Sequence, residues 1–120
     1  MKDLKLGVIE TRFADIIWDN APINSGELVK KSYNILGWKK STTYTVLKKL
    51  CEKGIFSNDN SVVTVKISRD DFFSLQSEQF IEETFDGSLP AFIAAFTRKK
   101  DLSEAEIKEI RRLIDEFGKE

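Results

Sequence analysis

The chain has 120 residues, 41% of them apolar and 32% charged, which suits one folded domain or two small ones and is too apolar for a disordered chain. Histidine is absent, cysteine occurs once, as Cys51, and the formal net charge is −1. Those counts exclude an imidazole base, a histidine or multi-cysteine metal site and a disulfide framework, so no enzyme, no metal and no cofactor is expected.

The six glycines are isolated, at 7, 26, 37, 54, 87 and 118, and form no phosphate-binding loop. No apolar run is long enough to span a bilayer, and "MKDLKLGVIETRF" lacks the apolar core of a signal peptide. With a single cysteine, the expected location is the reducing cytoplasm, without membrane insertion. The charge is unevenly spread. Residues 1–67 carry 11 Lys/Arg against 7 Asp/Glu, a surplus of four positive charges, and residues 68–120 carry 8 against 13, a surplus of five negative ones. A basic first half beside an acidic second half predicts a polyanion-binding head followed by a module with another task.

Along the chain, "GVIETRFADIIWD" (7–19) places Ile9, Phe13, Ile16 and Ile17 at helical spacing, with Trp18 closing the run. "NAP" at 20–22 ends that helix. Asn24, three residues before Glu27, resembles a capping box opening a second helix whose inner side is Leu28, Val29, Ser32, Ile35 and Leu36, with Gly37 at its end. Trp38 is expected to plug the core between helices.

The third helix, within "GWKKSTTYTVLKKLCEKG" (37–54), should start at an N-cap Ser41 and stop at Gly54. At about 100° per residue, Thr43, Val46, Leu47 and Leu50 fall in one core-facing arc. Thr42, Tyr44, Thr45, Lys48 and Lys49 fill the opposite arc, with Cys51 on the border. That outer arc holds hydroxyls and lysines but no acid, whereas an ordinary solvated face mixes signs. Hydroxyls and cations on one helix face are the groups that bond phosphates and base edges in a major groove.

After Gly54 the period changes. A turn cluster at Ser57–Ser61 separates two apolar pieces, and Val63, Val65 and Ile67 alternate with Thr64 and Lys66, predicting a short β-hairpin. Three helices and a hairpin make a winged helix-turn-helix over residues 1–68. Residues 69–120 then read as helices: a first one over "RDDFFSLQSEQFIEETF" capped by Ser68 and Asp71, a second in "DGSLPAFIAAF" with Pro90 in its first turn, the charged connector "TRKKD" (97–101), and a last one capped by Ser103 and Glu106. Their apolar side chains are Phe72, Phe73, Leu75, Phe80, Ile81, Phe85, Phe92, Phe96, Ile107, Ile110, Leu113, Ile114 and Phe117. Three short helices cannot bury so many large groups alone, so residues 69–120 are expected to be a helical dimerisation domain that pairs two copies as a homodimer. The fold class is mainly α with a small β-hairpin wing.

In these residues the chain resembles the penicillinase and methicillin-resistance repressors of Gram-positive bacteria and their copper-responsive relatives. Glu10 to Trp18 reads "E-x-x-F-A-x-I-I-W", Gly37 to Ile55 carries "GW…ST…VLKKLCEKGI", and the tail carries "FDGSLPAFIAAF…LSEAEIKEIRRLID". The resemblance covers nearly the whole chain in order. It implies a homodimeric repressor that binds a double-stranded DNA operator with inverted TACA/TGTA-type half-sites and controls antibiotic-resistance or cell-envelope stress genes.

On the matching positions, Ser41, Thr42, Thr45, Lys48 and Lys49 would face DNA, with Tyr44 packing on sugar or phosphate and Lys39, Lys40 and Lys66 completing the contact set. The wing departs from the family, with Lys66 as its single cation and Asp59 among its residues, so its contacts would narrow to Ser57, Asn58, Asn60 and Ser61. The clustered C-terminal cysteines of the copper-responsive members are absent. The resemblance further implies a membrane sensor-protease as inducer, cutting the tail at a bond matched here by Ala95–Phe96, with alanine where the family has asparagine. The alternative, from another class, is a winged-helix protein–protein interaction module that docks its basic helix on an acidic partner and needs no two-fold symmetry.

Overall fold

The structure, a computed structural model, describes residues 3–119; Met1, Lys2 and Glu120, the outermost residues of the two expected domains, lie outside that range. In chain order the elements are α1 (Val8–Asn20), β1 (Ile23–Asn24), α2 (Ser25–Leu36), α3 (Lys40–Glu52), β2 (Phe56–Asp59), β3 (Val62–Val65), α4 (Arg69–Phe85), α5 (Leu89–Phe96) and α6 (Glu104–Phe117). The strands form one antiparallel sheet in the order β1-β3-β2, with Ile23 opposite Val63 and Phe56 opposite Val65. This is a winged helix followed by further helices. The two-residue β1 is an element that the sequence reading did not contain.

The fold divides into two units, one ending at Gln79 and one starting at Phe80. In the first unit, Phe13, Ile17, Leu28, Leu47, Leu50, Ile55, Phe56 and Val63 are buried with at most 1% exposure. Each such side chain contributes about 1.5–3 kcal/mol when taken from water. Trp18 lies at the edge of this core, its indole N–H donating to the Ile67 carbonyl at 3.0 Å. Its ring stands 5.5 Å from Phe56 and 5.4 Å from Phe72. Trp38 stacks 5.0 Å from Phe13, filling the space between helices as its position in the sequence suggested.

Helix ends follow from local chemistry, with some shifts from expectation. The N-cap of α1 is Gly7, whose N–H donates to the Glu10 carboxylate at 3.1 Å. The Asn24 side chain accepts from Gly26 N–H and caps α2. At the far end of α2, Gly37 takes a left-handed φ of 71°. The N-cap of α3 is Lys39 and not Ser41, so Ser41 sits inside the first turn. The other end of α3 closes as a Schellman motif. Gly54 (φ 82°) donates to the Cys51 carbonyl and Ile55 to the Leu50 carbonyl, with Leu50 and Ile55 both buried.

Two expected core positions are on the surface: Ile9 is 47% exposed and Ile35 54%. In α2 the buried line runs through Ser25, Leu28 and Ser32. In α1 it starts only at Phe13, one turn beyond Ile9. The hairpin turn is tighter than the Ser57–Ser61 cluster suggested. Only Asn60 and Ser61 form it, both with positive φ, as a two-residue type I′ turn requires. Ser57, Asn58 and Asp59 therefore extend β2.

The opening half of α4 belongs to the first unit. Arg69 bonds Asp15 at 3.1 Å and Asp19 at 2.7 Å and lies 5.5 Å from the Trp18 ring. Phe72 is completely buried. Gln79 and Gln76 accept from and donate to the Leu4 backbone at 3.0 and 3.2 Å, fastening the N-terminal segment along this helix. Between α1 and α3, Lys49 meets the Glu10 carboxylate at 2.8 Å.

The second unit is held by a ring cluster. Phe92 of α5 meets Phe80 and Phe85 edge-on at 6.0 and 5.5 Å. Ser88 caps α5, and Ser103 with Glu106 forms the capping box of α6. No side chain of α5 or α6 is fully buried.

Two outcomes test this packing. Phe72→Ala is expected to cost about 3–5 kcal/mol in urea unfolding at fixed protein concentration; a cost below about 1 kcal/mol would take the start of α4 out of the core. The second concerns Glu10. The Lys49 ammonium, ahead of the Gly7 N–H, holds its carboxyl below the ordinary carboxylate value of 4.5. A depressed native pKa gives stability that is present above the unfolded-state value and is lost as pH falls through the native one. Lys49 is half exposed, so the gain is about 0.5–1 kcal/mol at most. Glu10→Gln keeps the cap acceptor and should lose that amount at neutral pH, with the difference from wild type vanishing below the carboxylate range. A pH-independent difference would assign the loss to packing.

Candidate nucleic-acid interface

The outer face of α3 is set by its inner one. Thr43, Leu47 and Leu50 are buried, at 0, 1 and 0% exposure. Helical geometry then turns Ser41, Thr42, Thr45 and Lys48 to solvent, and all four are exposed. Lys39 and Lys40 are exposed at its start. Lys39, Lys40 and Lys48 have no ion-pair partner among the described residues. No acid lies between Lys39 and Cys51.

The hydroxyls differ in what they offer. Thr45 donates to the Ser41 carbonyl at 2.9 Å, so its oxygen is left as an acceptor beside its methyl group. An acceptor with an adjacent methyl suits an amino group on a base edge and a neighbouring thymine methyl. Thr43 donates to the Lys39 carbonyl at 3.3 Å and is buried, so it takes no part in the outer face. Beside the helix, an open groove of about 400 Å³ is lined by Tyr44, Leu47, Lys48, Cys51 and Asn58. Burial pushes the Cys51 thiol above its ordinary value, so it lines that groove as a neutral group.

Three residues in the sequence-derived set stand differently from the others. Lys49 is turned to Glu10 of α1 and bonded there. Tyr44 is half buried, and its hydroxyl donates to Ser25 Oγ at 3.1 Å. Lys66 follows β3 and its backbone N–H donates to the Ile55 carbonyl, so it sits at the base of the hairpin and not at the tip. The tip, Asp59 to Val62, carries no cation, and Ser61 accepts through its carbonyl from the Ser25 N–H at 2.8 Å. Ser25, which is 4% exposed, joins α2, α3 and the hairpin. Nothing in its sequence neighbourhood signals that role, because a serine after a cap residue is common.

The tail residues also separate. Phe72 is buried in the first unit, whereas Phe73, Leu75 and Phe80 are about 40% exposed. Ile81, Phe85, Phe92, Ile107 and Ile110 are partly covered. Phe96 is 46%, Leu113 53%, Ile114 63% and Phe117 79% exposed. Ala95 and Phe96 form the end of α5. No helix among the described residues is long and apolar enough to cross a membrane.

Comparison with known proteins agrees with this architecture. The chain is 26% identical over 111 residues to the penicillinase repressor of Bacillus licheniformis, covering 89% of this chain and 87% of that one. It is 24% identical over 118 residues to the methicillin resistance regulatory protein MecI of Staphylococcus aureus strain Mu50, covering 95% and 96%. It is 20% identical over 122 residues to the penicillinase repressor of Staphylococcus aureus, covering 98% and 97%. The family described as penicillinase repressor matches residues 6–116. A winged helix and a family match over nearly the whole length agree, and the chain belongs to the penicillinase repressor family.

Proposed function

We propose that this chain is a transcriptional repressor that binds a pseudo-palindromic DNA operator as a homodimer, reading it through α3. The observation that carries the proposal is the outer face of α3: Ser41, Thr42, Thr45 and Lys48 exposed together, preceded by Lys39 and Lys40, with no acid among them. The hydroxyls supply base-edge contacts and the lysines supply phosphate affinity. Lys49, paired with Glu10, contributes less than Lys48. The hairpin tip carries no cation and includes Asp59, so only its amide and hydroxyl groups can bond the backbone. Relatives named as repressors and as a regulatory protein support a regulator over a catalyst, and the genes assigned to its control are those of antibiotic resistance or cell-envelope stress.

Dimerisation is assigned to the second unit, from residue 80 onward, where Phe96, Leu113, Ile114 and Phe117 present apolar surface that a second copy would cover. Induction is assigned to cleavage at Ala95–Phe96 by a membrane sensor-protease. A cut there separates α6 and its apolar stripe from the rest, and a weakened dimer no longer holds both half-sites.

The test is fluorescence-anisotropy titration against DNA upstream of the protein's own operon, with random duplex as competitor, at two salt concentrations. Wild type is expected to bind tightly and selectively. Thr45→Ala with Lys48→Glu should abolish the selectivity and flatten the salt dependence by about 0.9 per bound protomer. Equal affinity of wild type for both duplexes, there and across a genomic-fragment pool, would favour docking of the basic helix on an acidic protein. For induction, a chain ending at Ala95 should sediment as a monomer at concentrations where the full chain is a dimer, and should lose operator affinity. A persistent dimer would remove α6 from the interface.

A further inference from the structure

Tyr44 lies among the outward residues of α3, one step from Thr45 and one turn from Lys48. Its hydroxyl nevertheless points into the protein. It donates to Ser25 Oγ at 3.1 Å, and its ring packs on the core. Ser25, in the first turn of α2, is 4% exposed. Its own N–H, one of the donors that a helix start leaves without an intrahelical partner, reaches the Ser61 carbonyl at 2.8 Å. Three elements therefore meet through one serine: the exposed helix α3, the start of α2 and the tip of the hairpin.

From this junction we infer that Tyr44 is a positioning residue, which fixes the rotation of α3 against α2 and the hairpin tip and touches no phosphate or base through its hydroxyl. The inference rests on the DNA reading proposed above. Its physical basis is leverage. On a helix whose side-chain tips lie about 5–6 Å from the axis, a rotation of ~20° moves each tip by about 2 Å. A hydrogen bond to a base edge tolerates far less. Phosphate attraction, which depends weakly on angle, would survive such a rotation. Loss of the Tyr44 hydroxyl should thus cost discrimination and leave the electrostatic part of binding intact. A direct phosphate contact would do the reverse.

The test uses the full chain and the duplex that wild type enriches most strongly from a pool of genomic fragments, with random duplex alongside. Tyr44→Phe, Ser25→Ala and the double variant are titrated at several salt concentrations, and thermal melting shows that each is folded. Tyr44→Phe is expected to weaken binding to the selected duplex about fivefold while affinity for random duplex and the salt slope stay at wild-type values. Ser25→Ala should reproduce that loss, and the double variant should be no weaker than either single one. Ser25 is too buried to touch DNA, so the shared loss marks a common junction. Equal losses on both duplexes with a shallower slope would overturn the inference in favour of a phosphate contact, as would additive losses or no loss. If wild type enriches no duplex, the DNA reading falls and this role for Tyr44 falls with it. A selective wild type with an unaffected Tyr44→Phe variant overturns the Tyr44 role alone.

Discussion

The direction in which α3 faces depends on the burial of Thr43, Leu47 and Leu50 in the core of the first unit. Rotation of the helix by a few tens of degrees would bring both leucines toward water at about 1.5–3 kcal/mol each. The Schellman closure adds a second constraint, because Ile55 can be buried only if the chain turns back over Leu50 at Gly54. With one face and one end fixed, the outward set follows to within a small rotation, and the Tyr44–Ser25 bond bears on what freedom is left. Ser41, Thr42, Thr45 and Lys48 are on the surface because the positions between them are in the core.

The same rotation explains why two adjacent lysines differ. Lys48 and Lys49 are one step, about 100°, apart. That step carries Lys49 round to Glu10 on α1 and leaves Lys48 facing solvent. Along α1 the acids are matched from other elements, Glu10 by Lys49, and Asp15 and Asp19 by Arg69. These pairs are partly exposed and worth little in stability. What they change is the distribution of charge: acids of α1 are matched within the unit, while Lys39, Lys40 and Lys48, along and just before α3, have no ion-pair partner among the described residues.

Much of this was legible because helix ends carry strong local signals. Residues 69–85 match α4 as seen, and the Ser103–Glu106 box marks the start of α6. The inner arc of α3 follows from periodicity alone. The failures share a physical cause, which is that period says which residues are in line but not how far along the line a partner extends. Ile9 and Ile35 obey the period and still stand exposed at the ends of their helices. β1 is two residues long and exists only because β3 offers it a ladder partner, so no local pattern could announce it. The pairing of Lys49 with Glu10 and of Tyr44 with Ser25 spans 39 and 19 positions, a matter of packing that residue type cannot reveal.

The cation-free hairpin tip, which carries Asp59, bears on why this chain would need its second unit. Phosphate affinity scales with the number of cations brought to the backbone, and here Lys66 lies at the hairpin base while the tip offers only amide, hydroxyl and carboxylate groups. On the proposed reading, one head therefore grips DNA through the few lysines along α3 and holds it weakly. Joining two heads makes the second contact intramolecular, at an effective concentration far above that of a free monomer in solution. On the same reading, weak heads would make binding depend on the dimer contact, so anything that loosened that contact would release the DNA without touching α3. The exposed apolar stripe of Leu113, Ile114 and Phe117 would then have a regulatory consequence as well as a structural one: the fewer cations the head carries, the more completely control would pass to the tail.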